Sequence, residues 1–235
     1  MVATRPFLLL GLALIIGLAT FGAQVSHAVK RGREFDRYLS VKGLSEREVR
    51  ATLAIWPVRF SVSAEDLNGL KSAMEAGRML VVSFLKENGI DEADIALGLP
   101  IVSDRADERI QANRPALTRY RGLVTLVVRS SKVELVKKAI QRADTLLERG
   151  VTLVGEPNDK TEFIFDGVNQ IKPDMIKQAT ANARAAAEKF ALDSNSKVGR
   201  IRKATQGTVE IEDRDIASPE QKLIRVVTTV DFFLE

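Results

Sequence analysis

Thr52-Leu-Ala-Ile-Trp-Pro-Val-Arg-Phe-Ser-Val62 runs straight into Ser63-Ala-Glu-Asp66, and behind Asp66 the residues Leu67, Leu70, Met74, Gly77, Val81 and Phe84 recur every three or four positions until Asn88-Gly89. The first half reads as a strand of about Val49 to Ser63, rich in β-branched and aromatic residues. Pro57 cannot donate to a ladder, so it marks a bulge or an edge. The second half reads as a long amphipathic helix, with Ser63 and Asp66 as a capping box and Asn88-Gly89 as its stop. A change of period from two to 3.6 within forty residues, with no parallel-sheet pattern around it, points to an α+β fold.

Working outward, Arg37-Tyr-Leu-Ser-Val-Lys-Gly43 reads as a short strand ending at a turn glycine. Downstream, a strand from about Ile95 to Val102 is followed by a polar stretch holding Asp104, Asp107, Glu108 and Pro115, and then by a strand from Thr118 to Arg129. A hairpin with a long loop is the simplest connection. Ser131 and Glu134 repeat the capping box, and Val133, Val136, Ile140, Ala143 and Leu147 form a second helical stripe closing at Gly150. The two strand-then-helix stretches share a pattern without being a sequence repeat. Glu162-Phe-Ile-Phe-Asp166 reads as a strand, and Pro173-Asp174 as the first turn of a third helix. That helix buries Ile176, Ala179, Ala183, Ala186 and Phe190, its alanines allowing close approach to another surface. Strands of about Arg200 to Glu212 and Lys222 to Leu234 follow, joined by a polar loop with Pro219. The expected order is β-β-α-β-β-α-β-α-β-β: about seven to eight strands and three helices in one α+β domain over residues 37–235, preceded by one hydrophobic helix within residues 1–36.

Composition narrows the chemistry. The 35 basic and 31 acidic side chains nearly cancel and are scattered, and no spaced aromatic and basic pairs form a base-stacking surface, so nucleic acid is not expected as a partner. Cysteine is absent, which removes thiol nucleophiles, disulfides and cysteine-ligated metals. The single histidine, His27, flanks the hydrophobic segment, so the domain has none for base catalysis or metal binding. No nucleophile elbow, phosphate-binding loop or dinucleotide fingerprint appears. No catalytic, cofactor-binding or metal-binding residue is assigned, no cofactor is expected, and the protein is read as non-enzymatic.

Three charged constellations could carry chemistry, and each has a plainer reading. Glu210, Glu212, Asp213 and Asp215 could hold a hard cation, but Arg214 interrupts them and no mid-loop glycine is present; a solvated strand end is the simpler account. Asp104, Asp107 and Glu108 could act as paired carboxylates, but Arg105 and Arg109 interleave and no aromatic platform lies near. Lys197, Arg200, Arg202 and Lys203 form a basic patch that could meet phosphate or lipid headgroups; strand alternation sets Arg200 and Arg202 on one face, as a solvated face or an oligomer contact.

The N-terminus supplies an address. Phe7-Leu-Leu-Leu-Gly-Leu-Ala-Leu-Ile-Ile-Gly-Leu-Ala-Thr-Phe-Gly-Ala23 is uncharged and leads into Gln24-Val-Ser-His-Ala28. Residues 7–24 are read as the contact with the membrane, with a length between that of a signal-peptide core and a spanning helix. The expectation is an inner-membrane anchor with the domain in the periplasm; the alternative is cleavage near Ala28, with small residues at the −3 and −1 positions, giving a soluble periplasmic protein. Lys30, Arg31, Arg33 and Arg37 outnumber Arg5, and positive-inside counting would hold the domain in the cytoplasm instead.

The chain resembles the SIMPL-domain family of bacterial envelope proteins. Leu39-Ser-Val-Lys-Gly43, with Glu46 and Val49, looks like that family's opening hairpin; Asn88-Gly-Ile90 like its helix-to-strand turn; and Tyr120-Arg-Gly122 like the start of its central strand. The most recognisable stretch is Ala183 to Ile201, where Lys189-Phe-Ala191 leads to Val198-Gly-Arg-Ile201. One departure is Ala51-Thr52, where the family often has Pro-Asp. The resemblance implies export, an α+β fold, ring-like or channel-like homo-oligomers and loose links to stress tolerance, and it brings no catalytic residues. It tips the orientation towards export. The expected function is an envelope protein acting through homo-oligomeric assembly and partner binding, with the alanine-rich helix as the motivating feature. The alternative is a module binding a small molecule or lipid between sheet and helices. A hydrolase with an unmarked Ser–Lys or carboxylate site is a third reading.

Overall fold

A computed structural model describes residues 14–25, 37–106, 118–155 and 160–235. Residues 14–25 form a helix, α1, exposed throughout. No described helix is long and apolar enough to cross a membrane. The rest of the hydrophobic segment lies outside the described residues, as do Arg5, His27, Ala28 and the basic positions Lys30, Arg31 and Arg33. Beyond α1 the order is β1 (Tyr38–Arg50), β2 (Leu53–Ala64), α2 (Leu67–Glu87), a 3-10 turn at Glu92–Asp94, β3 (Ile95–Leu97), β4 (Ile101–Asp104), β5 (Tyr120–Ser130), α3 (Val133–Gln141), α4 (Thr145–Glu148), β6 (Thr152–Leu153), β7 (Glu162–Ile164), α5 (Val168–Asp193), β8 (Val198–Asp213) and β9 (Gln221–Leu234). The α+β class therefore holds, with nine strands in two sheets among the described residues.

The chain divides into two compact units, one of residues 48–171 and 211–224, the other of residues 1–47, 172–210 and 225–235. The first is built on a six-stranded sheet ordered β3-β5-β2-β6, with β4 also on β5 and β7 also on β2. Its centre is the antiparallel pair β2 and β5, in unbroken register from Ala54 opposite Ser130 to Ala64 opposite Tyr120. Alternation decides which side chains enter the core: Ala54, Trp56, Val58 and Phe60 of β2 and Val124, Leu126 and Val128 of β5 are buried, while the residues between them are less so. Onto that face α2 lays Val81, Phe84 and Leu85, and α3 adds Val133, Val136 and Ala139. Pro57 sits where β7 has ended at Ile55 and β6 has not begun until Phe60, so the strand is locally an edge there, as its missing donor requires.

Several local details differ from the sequence reading. The first strand continues through Gly43 to Arg50, and the hairpin turns at Ala51-Thr52, because Ala51 N–H donates to the Glu220 carbonyl (2.8 Å) and Thr52 N–H to the Ile164 carbonyl (2.8 Å). Ser63 belongs to β2; Asp66 alone caps α2, accepting from Gly69 N–H at 2.8 Å. Ser131 does not cap α3 either: Lys132 holds that position, and its N–H donates to the Ser130 hydroxyl oxygen at 3.2 Å. The strand expected from Ile95 to Val102 is split by Gly98–Pro100, with Gly98 N–H donating to the Thr125 carbonyl. The second helix breaks after Gln141 and resumes at Thr145. Both expected stops hold: Gly89 and Gly150 adopt φ of +82° and +83°, conformations that favour glycine, and Ile90 N–H reaches back to the Leu85 carbonyl.

In the other unit, β1, β9 and β8 form a three-stranded sheet in that order, covered by α5. The buried stripe of α5 is Met175, Ala179, Ala183, Ala187 and Ala191, at a strict spacing of four. It is turned by about one residue from the expected stripe, leaving Phe190 59% exposed and Ala186 half-buried. The reason is steric. Val41 and Gly43 of β1 meet the helix through its smallest side chains, so the strand and helix backbones approach closely. Two polar contacts hold the pair in register: Ser45 Oγ donates to Gln178 Oε1 (3.0 Å) and Asn182 Nδ2 to the Leu44 carbonyl (2.8 Å). Pro173 lies inside α5, which begins five residues earlier at Val168, at the loss of one early intrahelical hydrogen bond.

Within the first unit, a buried carboxylate ties the β8–β9 connection to α3. Glu220 is 5% exposed and accepts from Lys137 Nζ on α3. Burial pushes the Glu220 carboxyl up, but the Lys137 ammonium and the residue's own backbone amide outweigh it and hold the group below its ordinary value. A lowered carboxylate contributes stability that is complete above its unfolded pKa, near 4.5, and is lost as pH falls through the folded value. Glu220→Gln is therefore expected to cost about 1 kcal/mol at pH 7. Thermal melts should show the gap to the parent chain closing as the pH is lowered from 5 to 3; a gap independent of pH would contradict this.

Candidate functional site

The amphipathic helix α2 does not cover its sheet completely. Leu70 and Phe84 are buried, whereas Leu67 at its start is 57% exposed, and Leu97 of β3 and Val102 of β4 are also left exposed. The result is a cleft of about 500 Å³ between α2 and the β3–β4 segment, with Val124 of β5 also lining it. Leu67, Leu70 and Met74 form the helix wall, and Leu97, Pro100 and Val102 the opposite wall. A volume of this size lined mainly by apolar side chains is typical of sites for small molecules, roughly 300 to 1,000 Å³.

Charge is confined to one stretch of the wall, where Lys71, Glu75 and Arg78 follow one another along α2. Glu75 and Arg78 form an ion pair, with Arg78 Nε donating to Glu75 Oε2 at 3.1 Å. The Arg78 hydrogen bond holds the Glu75 carboxyl below its ordinary value against a smaller opposing effect of burial, with Lys71 adding to the lowering. Two cations thus stand against one carboxylate beside an apolar cleft. The arrangement can hold a hydrocarbon body and favour a negative head; it has no nucleophile paired with a base.

The charged constellations seen in the sequence do not converge here. Asp104 is bound to Arg119 (3.0 Å), which holds its carboxyl low, and Arg105 donates to the Thr118 carbonyl and hydroxyl oxygens. Asp107, Glu108 and Arg109 lie outside the described residues. Of the acidic group, Asp213 pairs with Lys222, and Asp215 with Arg214, which also lies 3.7 Å from Glu48. Among the described residues no three histidine or acidic side chains come together as metal ligands. In the basic patch, Arg200 lies over the Phe233 ring (5.6 Å) and Arg202 over the Tyr38 ring (4.2 Å).

The cleft's helix wall is legible in the sequence as the Leu and Met stripe of an amphipathic helix. Its other wall is not, since nothing in Leu97-Gly-Leu-Pro-Ile-Val102 announces that the strand breaks and leaves a gap.

No curated protein matches the chain. A family model, SIMPL, described as a protein of unknown function (DUF541), matches residues 39–230, which include both sheets and helices α2 to α5. The chain belongs to the SIMPL family.

Proposed function

We propose that this chain is a non-enzymatic binding protein of the cell envelope, delivered to or across a membrane by residues 7–24, and that its α2 cleft takes the apolar part of a small amphiphile with an acidic head. The observation that carries the reading is the cleft itself: an apolar space of about 500 Å³ beside Lys71 and Arg78, bordered by large side chains left exposed. The periplasmic address rests on the hydrophobic segment and on family membership.

The reading is tested with dodecanoate and dodecanol as paired probes, followed by displacement of a fluorescent apolar dye. Leu97→Arg places a charge on the apolar wall and is expected to weaken both probes about tenfold while moving stability by less than about 0.5 kcal/mol, as for other exposed positions. Lys71→Glu is expected to weaken dodecanoate severalfold and leave dodecanol unchanged. Equal affinity of all three proteins for both probes, or no binding, would sink the proposal.

Self-assembly is the second reading. The alanines of α5 do not support it, since they pack against the chain's own sheet. What favours it is β8, a sheet-edge strand of 16 residues that is exposed along nearly its whole length.

A further inference from the structure

Sixteen residues of β8 span roughly 50 Å, and among the described residues no strand pairs with its outer side. A long edge with open backbone donors and acceptors is a template for another strand unless something blunts it. Charges can blunt an edge, and β8 has them, but their order is informative. Arg200, Arg202 and Lys203 occupy one half, and Glu210, Glu212 and Asp213 the other, with the sign changing once, across Ala204 to Val209.

Resting on the assembly reading above, we propose that the edge of β8 is an interface whose occupant is β8 of a second copy of this chain, running antiparallel with Gln206 opposite Gln206. A two-fold axis normal to the sheet returns each face to itself, so only residues separated by an even number of positions can stand opposite one another. Of those registers, the one centred on Gln206 sets Arg202 against Glu210 and Arg200 against Glu212 on one face. On the other face it sets Ile201 against Ile211, which are 43% and 44% exposed in the single chain, and Lys203 against Val209. Moving the centre by one residue either way separates the isoleucines and removes one of the two arginine–glutamate pairings. An in-register parallel arrangement faces like charges at both ends of the strand. Opposite-charge and β-branched cross-strand pairs stabilise a ladder and like charges oppose it, so the sequence of β8 favours one partner orientation and one register. In the single chain the Arg202 guanidinium lies over the Tyr38 ring, on the inner side of β8, so pairing with the partner carboxylate requires it to swing towards the outer edge.

The chain has no cysteine, so Gln206→Cys introduces a single thiol into the full-length protein, studied in mild detergent. A short bis-maleimide is expected to convert most of Gln206→Cys into covalent dimer, while Lys189→Cys on exposed α5 stays uncrosslinked. Arg202→Glu is expected to weaken dimerisation at least tenfold in analytical ultracentrifugation, and Arg202→Glu combined with Glu210→Arg to restore it. A larger assembly that neither crosslinks at position 206 nor responds to the charge reversal would overturn the β8 interface while leaving the assembly reading intact. Crosslinking with no response to charge would overturn this register. A strict monomer at high concentration would overturn both.

Discussion

Replacing Gly43 by alanine is expected to destabilise the protein by about 3 kcal/mol, at the upper end of what overpacking costs. Gly43 lies within β1 opposite the alanine stripe of α5. A Cβ there would stand 1.9 Å from the Ala179 carbonyl oxygen, 2.6 Å from the Ala183 nitrogen and 2.8 Å from the Ala183 Cβ. Two of these three atoms are helix backbone, so no rotamer change relieves the clash. The helix must move off the sheet, which loosens the buried contacts of Val41, Val230 and Phe232 with Ala183 and Ala187. Gly155→Ala is the control, since nothing lies within 4 Å of a Cβ at that position. Urea unfolding should show a large drop in midpoint for Gly43→Ala and little change for Gly155→Ala. Equal midpoints would mean that the strand and helix do not approach as described.

Phe60→Ala is expected to cost about 3 to 5 kcal/mol, the range for removing a fully buried aromatic ring from a core that cannot collapse around the space. Phe60 is 0% exposed, held on β2 between β5 and β6, and its ring lies against Gly77 of α2, where a Cβ would come within 2.5 Å of Cε2. Ring and glycine are thus complementary, and the pair can be tested as a cycle. Gly77→Ala alone is expected to be destabilising, because the ring must shift. In a Phe60→Leu background, where the ring is gone, the same change is expected to cost less and to approach the ordinary gain of alanine over glycine in a helix, roughly 0.5 to 1 kcal/mol. Additivity within about 0.3 kcal/mol across the cycle would show that the two residues do not touch.

These two sites also show how much was legible beforehand. Gly77 is recognisable as a member of the α2 stripe, and Phe60 as an inward position of a strand, from period alone. That they require one another is a matter of which strand lies beneath which turn. By sequence Gly43 reads as a turn, because glycine so often ends a strand, whereas in the fold it permits a helix to approach. Hydrophobicity alone places Phe190 on the buried stripe of α5, whereas the structure leaves it exposed; small size, not hydrophobicity, selects the buried face. The cleft was half legible, through Leu67, Leu70 and Met74, and half hidden in the break at Gly98–Pro100.

What the sequence by itself determined is whatever depends on neighbours along the chain. That covers the α+β class, the stops at Gly89 and Gly150, the amphipathic face of α2, and a domain without cysteine or histidine chemistry. Each follows from period, from backbone conformations open mainly to glycine, or from composition. Only the tertiary structure decided that the strands separate into two sheets, that α5 buries Ala187 and Ala191 in place of Ala186 and Phe190, that the cleft beneath α2 stays open, and that β8 is left as an edge. Those outcomes depend on volume and on the pairing of strands far apart in sequence. Alternation along a strand says which face a residue occupies, but not whether another strand lies beside it.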